Sequence, residues 1–176
     1  IMGLQLIFAV ETNRKCKSDW IYIKDTIDRF YEHENTRIKL TPVYMDGKGK
    51  YQKKQSQIQS YISQYASTSR ENDSRVIYCF DCDDYDTRPE DKVFLDEAKE
   101  FCRENDYDFV WFCKDIEDVY LGRRIADKQK KDESAKFRRT KKIENLERDR
   151  LSAETFRAKA SNICRVLDKY LDKKSI

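Results

Sequence analysis

The chain has 176 residues, of which 39% are hydrophobic and 39% charged, and its mean hydropathy is -0.93, values that describe one domain with a thin core under a heavily charged surface. No apolar run approaches the roughly 18 to 20 residues of a membrane span, and the early run Leu4 to Val10 is short with no basic segment before it, which argues against a signal peptide and leads to the expectation of a cytoplasmic protein. From Arg123 onward 18 Lys and Arg face 9 Asp and Glu, a surplus of +9 within a whole-chain charge of +3, so the first 122 residues carry -6 and an acidic body precedes a basic tail suited to a polyanionic partner.

The apolar run "LQLIFAV", Leu4 to Val10, reads as a strand buried on both faces. Ser18 is the expected N-cap of a helix carrying Trp20, Ile23, Ile27, Phe30 and Tyr31 at helical spacing. A second strand is predicted over Ile38 to Tyr44, with Pro42 favouring an edge position, and it runs into the glycine loop "MDGKGKY". Ile58, Tyr61, Ile62 and Tyr65 form a weaker helical stripe, and Val76 to Phe80 is the third strand. Pro89 opens a third helix through Val93, Phe94, Ala98 and Phe101, and Tyr107 to Phe112 is the fourth strand. The alternation predicts an α/β domain with a mainly parallel four-stranded sheet and helices on both faces, because parallel strands need long crossovers. Beyond Gly122 the stretch "RRIADKQKKDESAKFRRTKKIENLERDR" reads as an exposed helix or a mobile arm, followed by an amphipathic helix capped by Ser152, with Phe156, Ala160, Ile163, Leu167, Tyr170 and Leu171 on its apolar face. The expected organisation is an α/β domain over residues 1–122 and a basic helical extension over 123–176 that packs on it.

The six cysteines are scattered through predicted strands and helices, as reduced packed thiols are. Cys79 and Cys82 form a C-x-x-C, but three residues apart on a strand they point to opposite faces, and the one histidine, His33, is distant in sequence, so a zinc or redox site is the lesser reading.

Chemistry concentrates where strands end. In an open parallel sheet ligands bind outside the carboxyl ends of the strands, where Glu11, Asp81 and Asp83 fall, with Lys114, Asp115 and Glu117 following the fourth strand. Asp81 and Asp83, two apart on an extended segment, share a face. Clustered carboxylates repel, and a hard divalent cation, Mg²⁺ or Mn²⁺, relieves that repulsion with oxygen ligands. The competing reading of the Asp-rich turn is ordinary turn and cap chemistry. Lys48 and Lys50, beside the glycines, are candidate phosphate contacts; Arg138, Arg139, Lys141 and Lys142 of "KFRRTKK" are candidate anchors for a nucleic-acid backbone, against the alternative of a solvated helix face.

The order "FAVE" in the first strand and "YCFDCDD" in the third, with alternating helices between, resembles the Toprim domain shared by topoisomerases, bacterial primases and OLD-type nucleases, with the RloB-like branch closest, over roughly Leu4 to Gly122. That branch consists of small proteins often encoded with phage-defence or restriction loci, so the resemblance implies a possible partner protein of a defence system. It also implies that Glu11 is a metal ligand or general acid/base, that Asp81 and Asp83 are metal ligands, and, more weakly, that Glu117 in "CKDIEDVYLG" is another. Three departures are plain: Thr12 stands where the family has glycine, the loop "TNRKCKSD" is longer than the family's, and the family wording after the fourth strand is missing. The expectation is a Mg²⁺- or Mn²⁺-dependent nuclease or related phosphodiester-processing enzyme acting on DNA or RNA. The alternatives are a non-catalytic binding module of a larger complex, favoured by Thr12, and a small-nucleotide phosphotransferase or hydrolase on a similar sheet.

Overall fold

A computed structural model describes residues 3–34 and 37–175. The elements run β1 (Leu4–Val10), α1 (Ser18–Phe30), β2 (Tyr31–Glu32), β3 (Ile38–Tyr44), α2 (Gln55–Thr68), β4 (Asp73–Asp81), α3 (Pro89–Glu104), β5 (Asp108–Phe112), α4 (Ile116–Leu121), α5 (Asp127–Arg139), α6 (Ile163–Leu167) and β6 (Asp172–Lys173). Four of the strands form one sheet in the order β3-β1-β4-β5, all parallel, while β2 and β6 pair as a separate short ribbon.

β1 is buried on both faces because its side chains alternate between two helical layers. Leu6, Phe8 and Val10 pack with Tyr22, Ile23 and Ile27 of α1. Ile7 and Ala9 pack on the other side with Ile58 of α2 and Leu95 and Ala98 of α3. β3 is an edge strand, as Pro42 predicts, since a residue without an N–H can sit opposite Phe8 only where no ladder is needed outside it. Pro89 occupies the first turn of α3. Cys79 and Cys82 belong to the two opposite layers, and all six cysteines are free. Among the described residues no helix is long and apolar enough to cross a membrane.

The terminal region differs from its sequence pattern. The stretch predicted as a mobile arm or exposed helix contains α5, which lies against α1, with Phe137 buried between Tyr22 and Tyr120 at ring separations of 5.0 and 5.8 Å. The predicted long last helix shrinks to α6, five residues. Its first half instead serves the free edge of β5: Asn162 accepts from Trp111 N–H and donates to the Phe109 carbonyl, both at 2.9 Å, and Cys113 N–H donates to the Ala160 carbonyl at 3.0 Å. Pairing an exposed edge took precedence over helical periodicity. The apolar positions Ala160, Ile163, Leu167 and Leu171 are buried as predicted, but Phe156 is 39% exposed.

Phe137, Ile143, Leu151, Ile163 and Leu167 share a core with the sheet. Phe137→Ala is therefore expected to lower the unfolding free energy by about 3 to 4 kcal/mol in a single cooperative transition. Urea denaturation followed by tryptophan fluorescence and circular dichroism checks this; a loss below about 1 kcal/mol, or an early separate transition, would detach α5 from the common core.

Candidate functional site

The crossover leaving β1 runs to β3 on one side and the crossover leaving β4 runs to β5 on the other, which makes the carboxyl ends of the adjacent strands β1 and β4 the topological switch point of the sheet. Glu11 follows β1 there. Its carbonyl accepts from Gly47 N–H at 2.9 Å, and its Oε1 accepts from the Asp81 N–H at 2.9 Å, so the side chain reaches across to the last residue of β4. Asp81, 8% exposed, accepts in turn from Ile116 N–H at 2.9 Å, at the start of α4. Glu117, the second residue of α4, is fully buried.

Two further residues complete the cluster and were not anticipated from the sequence. Asp19, at the start of α1, is 6% exposed and accepts from Thr12 N–H at 3.2 Å, closing the loop that leaves β1. Its one signal in the sequence is an acid in the first turn of a helix that follows a strand's carboxyl end. Lys130 of α5 brings its Nζ to 3.6 Å from Glu117 Oε2. No pattern in the sequence links Lys130 to that pocket; tertiary packing of α5 places it.

Asp83 stands apart from Asp81. β4 ends at Asp81, and Asp83 takes a left-handed backbone, φ 49°, so the two-residue alternation of a strand does not carry through to it. Its carboxylate is held by Lys48, whose Nζ also lies 3.9 Å from Asp91 and 4.8 Å from the centre of the Phe94 ring. Asp84 and Asp86 pair with Lys114 at 3.3 and 2.8 Å. The predicted glycine loop is a 3₁₀ turn over Lys48–Lys54 that runs into α2, and the amide of Gly47 is already spent on Glu11. Lys50 is exposed, 3.8 Å from Asp46. In the extension, Arg138 donates from Nε to Asp25 at 2.7 Å and from Nη2 to the Ile21 carbonyl at 3.3 Å, which fastens α5 to α1. Arg139, Lys141 and Lys142 are exposed. At about 1.5 Å per residue, this basic group begins roughly 12 Å along α5 from Lys130.

Burial dominates the electrostatics. Desolvation, with the charge of Asp19 next, pushes Glu11 up to about 8, and desolvation with Asp19 pushes Glu117 up to about 7. Asp81 is raised by burial and then by Glu11, Asp19 and Glu117; Asp19 is raised by burial as well. Burial opposes the charge on Lys130, but Glu117, Asp81 and Asp19 outweigh it and hold the ammonium protonated. Both carboxylate oxygens of Glu117, the hydroxyl of Thr12 and the hydroxyl of Tyr22 are buried without a hydrogen-bond partner, which is costly unless water or a cation meets them. Among the described residues no three His, Cys, Asp or Glu side chains converge as a ready-made metal site. The donor set is nevertheless all oxygen and suits a hard divalent cation, with both Glu117 oxygens free of hydrogen bonds among the described residues and the Lys130 ammonium 3.6 Å from one of them.

Fold and site together define an α/β protein with a desolvated cluster of carboxylates and lysines at the switch point of a parallel sheet. No family model, no curated protein and no solved structure matches the chain.

Glu11 and Glu117 have folded-state values above the ordinary 4.5, so between about pH 4.5 and 8 the folded protein binds protons that the unfolded chain has released, and stability without divalent cations falls as pH rises through that window. Glu117→Gln removes one such group. Relative to the parent it is expected to be more stable by about 1 to 3 kcal/mol at about pH 9, the lower end allowing for Lys130 left without its partner, and little changed near pH 4.5. Urea titrations in EDTA at both pH values test this; an effect of the same size at each would exclude a titrating Glu117.

Proposed function

We propose that the chain is a metal-dependent nuclease, or a related phosphodiester-processing enzyme, of the Toprim type, acting on nucleic acid. One observation carries the reading: Glu11, Asp19, Asp81 and Glu117 come from the end of β1, from α1, from β4 and from α4 to the sheet edge where α/β proteins bind ligands, and burial raises all four carboxyls there. Glu11, Asp81 and Glu117 would hold Mg²⁺ or Mn²⁺, with Asp83 at the rim. Bound there, the cation would polarise a phosphoryl oxygen and acidify a water.

The chain's own groups divide the remaining work. Glu11, at about 8, is protonated near neutral pH before a cation binds, and it can take up or release a proton at the reacting phosphate. Asp19 fixes the Thr12 amide and thereby the loop beside Glu11. Tyr22 and Tyr120 stack and Phe137 meets both edge-on, a dry aromatic layer from α1, α4 and α5 that lowers the local dielectric and strengthens charge interactions beside it. Tyr22 is no covalent nucleophile, because burial and then Glu117 drive its hydroxyl far above the ordinary tyrosine range.

A second reading has its own observation. Lys130 at Glu117 and Lys48 at Asp83 already neutralise carboxylates, an arrangement that also fits a non-catalytic module in which lysines stand permanently where a cation would be.

Cleavage of labelled single- and double-stranded DNA and RNA with Mn²⁺, Mg²⁺ or EDTA separates the two. The nuclease reading expects metal-dependent cleavage that falls at least about a hundredfold in Asp81→Asn. Absence of cleavage with either metal, together with nucleic-acid binding indifferent to EDTA and to Asp81→Asn, would leave the binding module as the better account.

A further inference from the structure

Next to Glu11 lies a second feature that the carboxylate cluster does not use. The loop leaving β1, the carboxyl end of β3 and the start of α2 frame a cleft of about 470 Å³ lined by Asn13, Arg14, Lys15, Tyr44, Asp46, Lys54 and Gln57. Its volume lies within the range of ligand-binding clefts. The charge in it is free: among the described residues Arg14, Lys15 and Lys54 form no ion pair, whereas Lys48, Lys130 and Arg138 are each committed to a carboxylate. The one acid in the lining, Asp46, is paired with Lys50 at 3.8 Å. Asn13 Oδ1 accepts from the amides of Lys15 and Cys16 at 3.0 and 2.9 Å, so the loop carrying two of the cations is held in shape without a ligand.

Three unpaired cations on a preformed polar surface, Arg14 and Lys15 three and four residues beyond Glu11 on one loop and Lys54 just before α2, call for a polyanion with regularly spaced charge. We propose that this cleft binds a backbone phosphate of a single nucleic-acid strand, adjacent to the phosphate presented to Glu11 and Asp81, with Arg14, Lys15 and Lys54 neutralising it and the half-buried ring of Tyr44 beside the sugar or base. The proposal rests on the functional reading above and replaces the distant Arg138 to Lys142 group as the main backbone contact.

The test is fluorescence anisotropy of labelled DNA and RNA oligonucleotides in EDTA, where no cleavage occurs, over a range of salt. Arg14→Ala, Lys15→Ala and Lys54→Ala combined are expected to weaken binding at least about tenfold and to flatten the log-log salt slope by about 2, while Arg139→Ala with Lys142→Ala changes affinity less than about threefold. All five positions are exposed or half-exposed, and circular dichroism confirms that both variants fold. Unchanged affinity and slope in the triple variant, an equal loss in the arm variant, or no strand binding by the parent would each overturn the proposal. So would binding of inorganic phosphate or a nucleoside monophosphate without binding of strands, which would make the cleft a small-anion site. The carboxylate reading is judged separately by metal-dependent cleavage: a parent that binds strands through the cleft yet cleaves nothing keeps this proposal and loses that one.

Discussion

The hydrogen bond from the Asp81 amide to Glu11 Oε1, 2.9 Å long, joins the ends of two adjacent parallel strands, and the rest of the site depends on it. It turns Glu11 inward rather than letting it extend into water. Once Glu11 is inside, Asp81, Asp19 and Glu117 cannot all ionise beside it without compensation, and each additional buried charge raises the others. The protein meets that constraint in three ways at once: backbone amides at Asp81, Thr12 and Ile116, protons on the raised carboxyls, and ammonium groups brought from a distance.

Lys130 explains why the extension is integral to the site. Its position depends on α5 lying along α1, which in turn depends on Phe137 filling the space between Tyr22 and Tyr120 and on Arg138 binding Asp25. The same helix thus closes the apolar layer on one side of the sheet and delivers a counter-charge at its near end. Any cation held by Glu117 would compete with that ammonium for the same carboxylate.

Much of the sheet was legible because its signals are local. Leu4 to Val10 and Ile38 to Tyr44 are uninterrupted strand patterns, and both match the observed strands residue for residue. Pro42 and Pro89 act through missing N–H groups, which have the same consequence in any context. Glu11, Asp81 and Glu117 could be placed at one edge because strand ends in a parallel sheet share a direction. What failed was whatever depended on tertiary partners. Asp83 left the face of Asp81 when its backbone turned left-handed to follow Lys114, and its amide donates to the Lys114 carbonyl at 2.7 Å. The long last helix lost its first half to the edge of β5, and Asp19 and Lys130 reach the site only through the packing of α1 and α5.

Charge shows the same limit in another form. The +9 surplus after Gly122 suggests a broad positive surface, yet much of it is consumed internally. Arg124 reaches Asp115 at 3.0 Å, Arg138 reaches Asp25 at 2.7 Å, Lys169 reaches Asp108 at 2.6 Å, and Arg148 is bound to Asp168. Arg124, Lys130, Arg138 and Lys169 meet acids of the body, so part of the tail's charge is matched there and helps to dock the extension, while other pairs close within the tail itself. A polyanion is attracted by charge that remains unpaired after folding, because a cation already held by a carboxylate releases little on meeting a phosphate. Arg14, Lys15 and Lys54 are unpaired among the described residues, as Arg139, Lys141 and Lys142 of the extension are, but they alone line one common cleft beside the loop that follows Glu11, and that convergence is what suits them to a single phosphate.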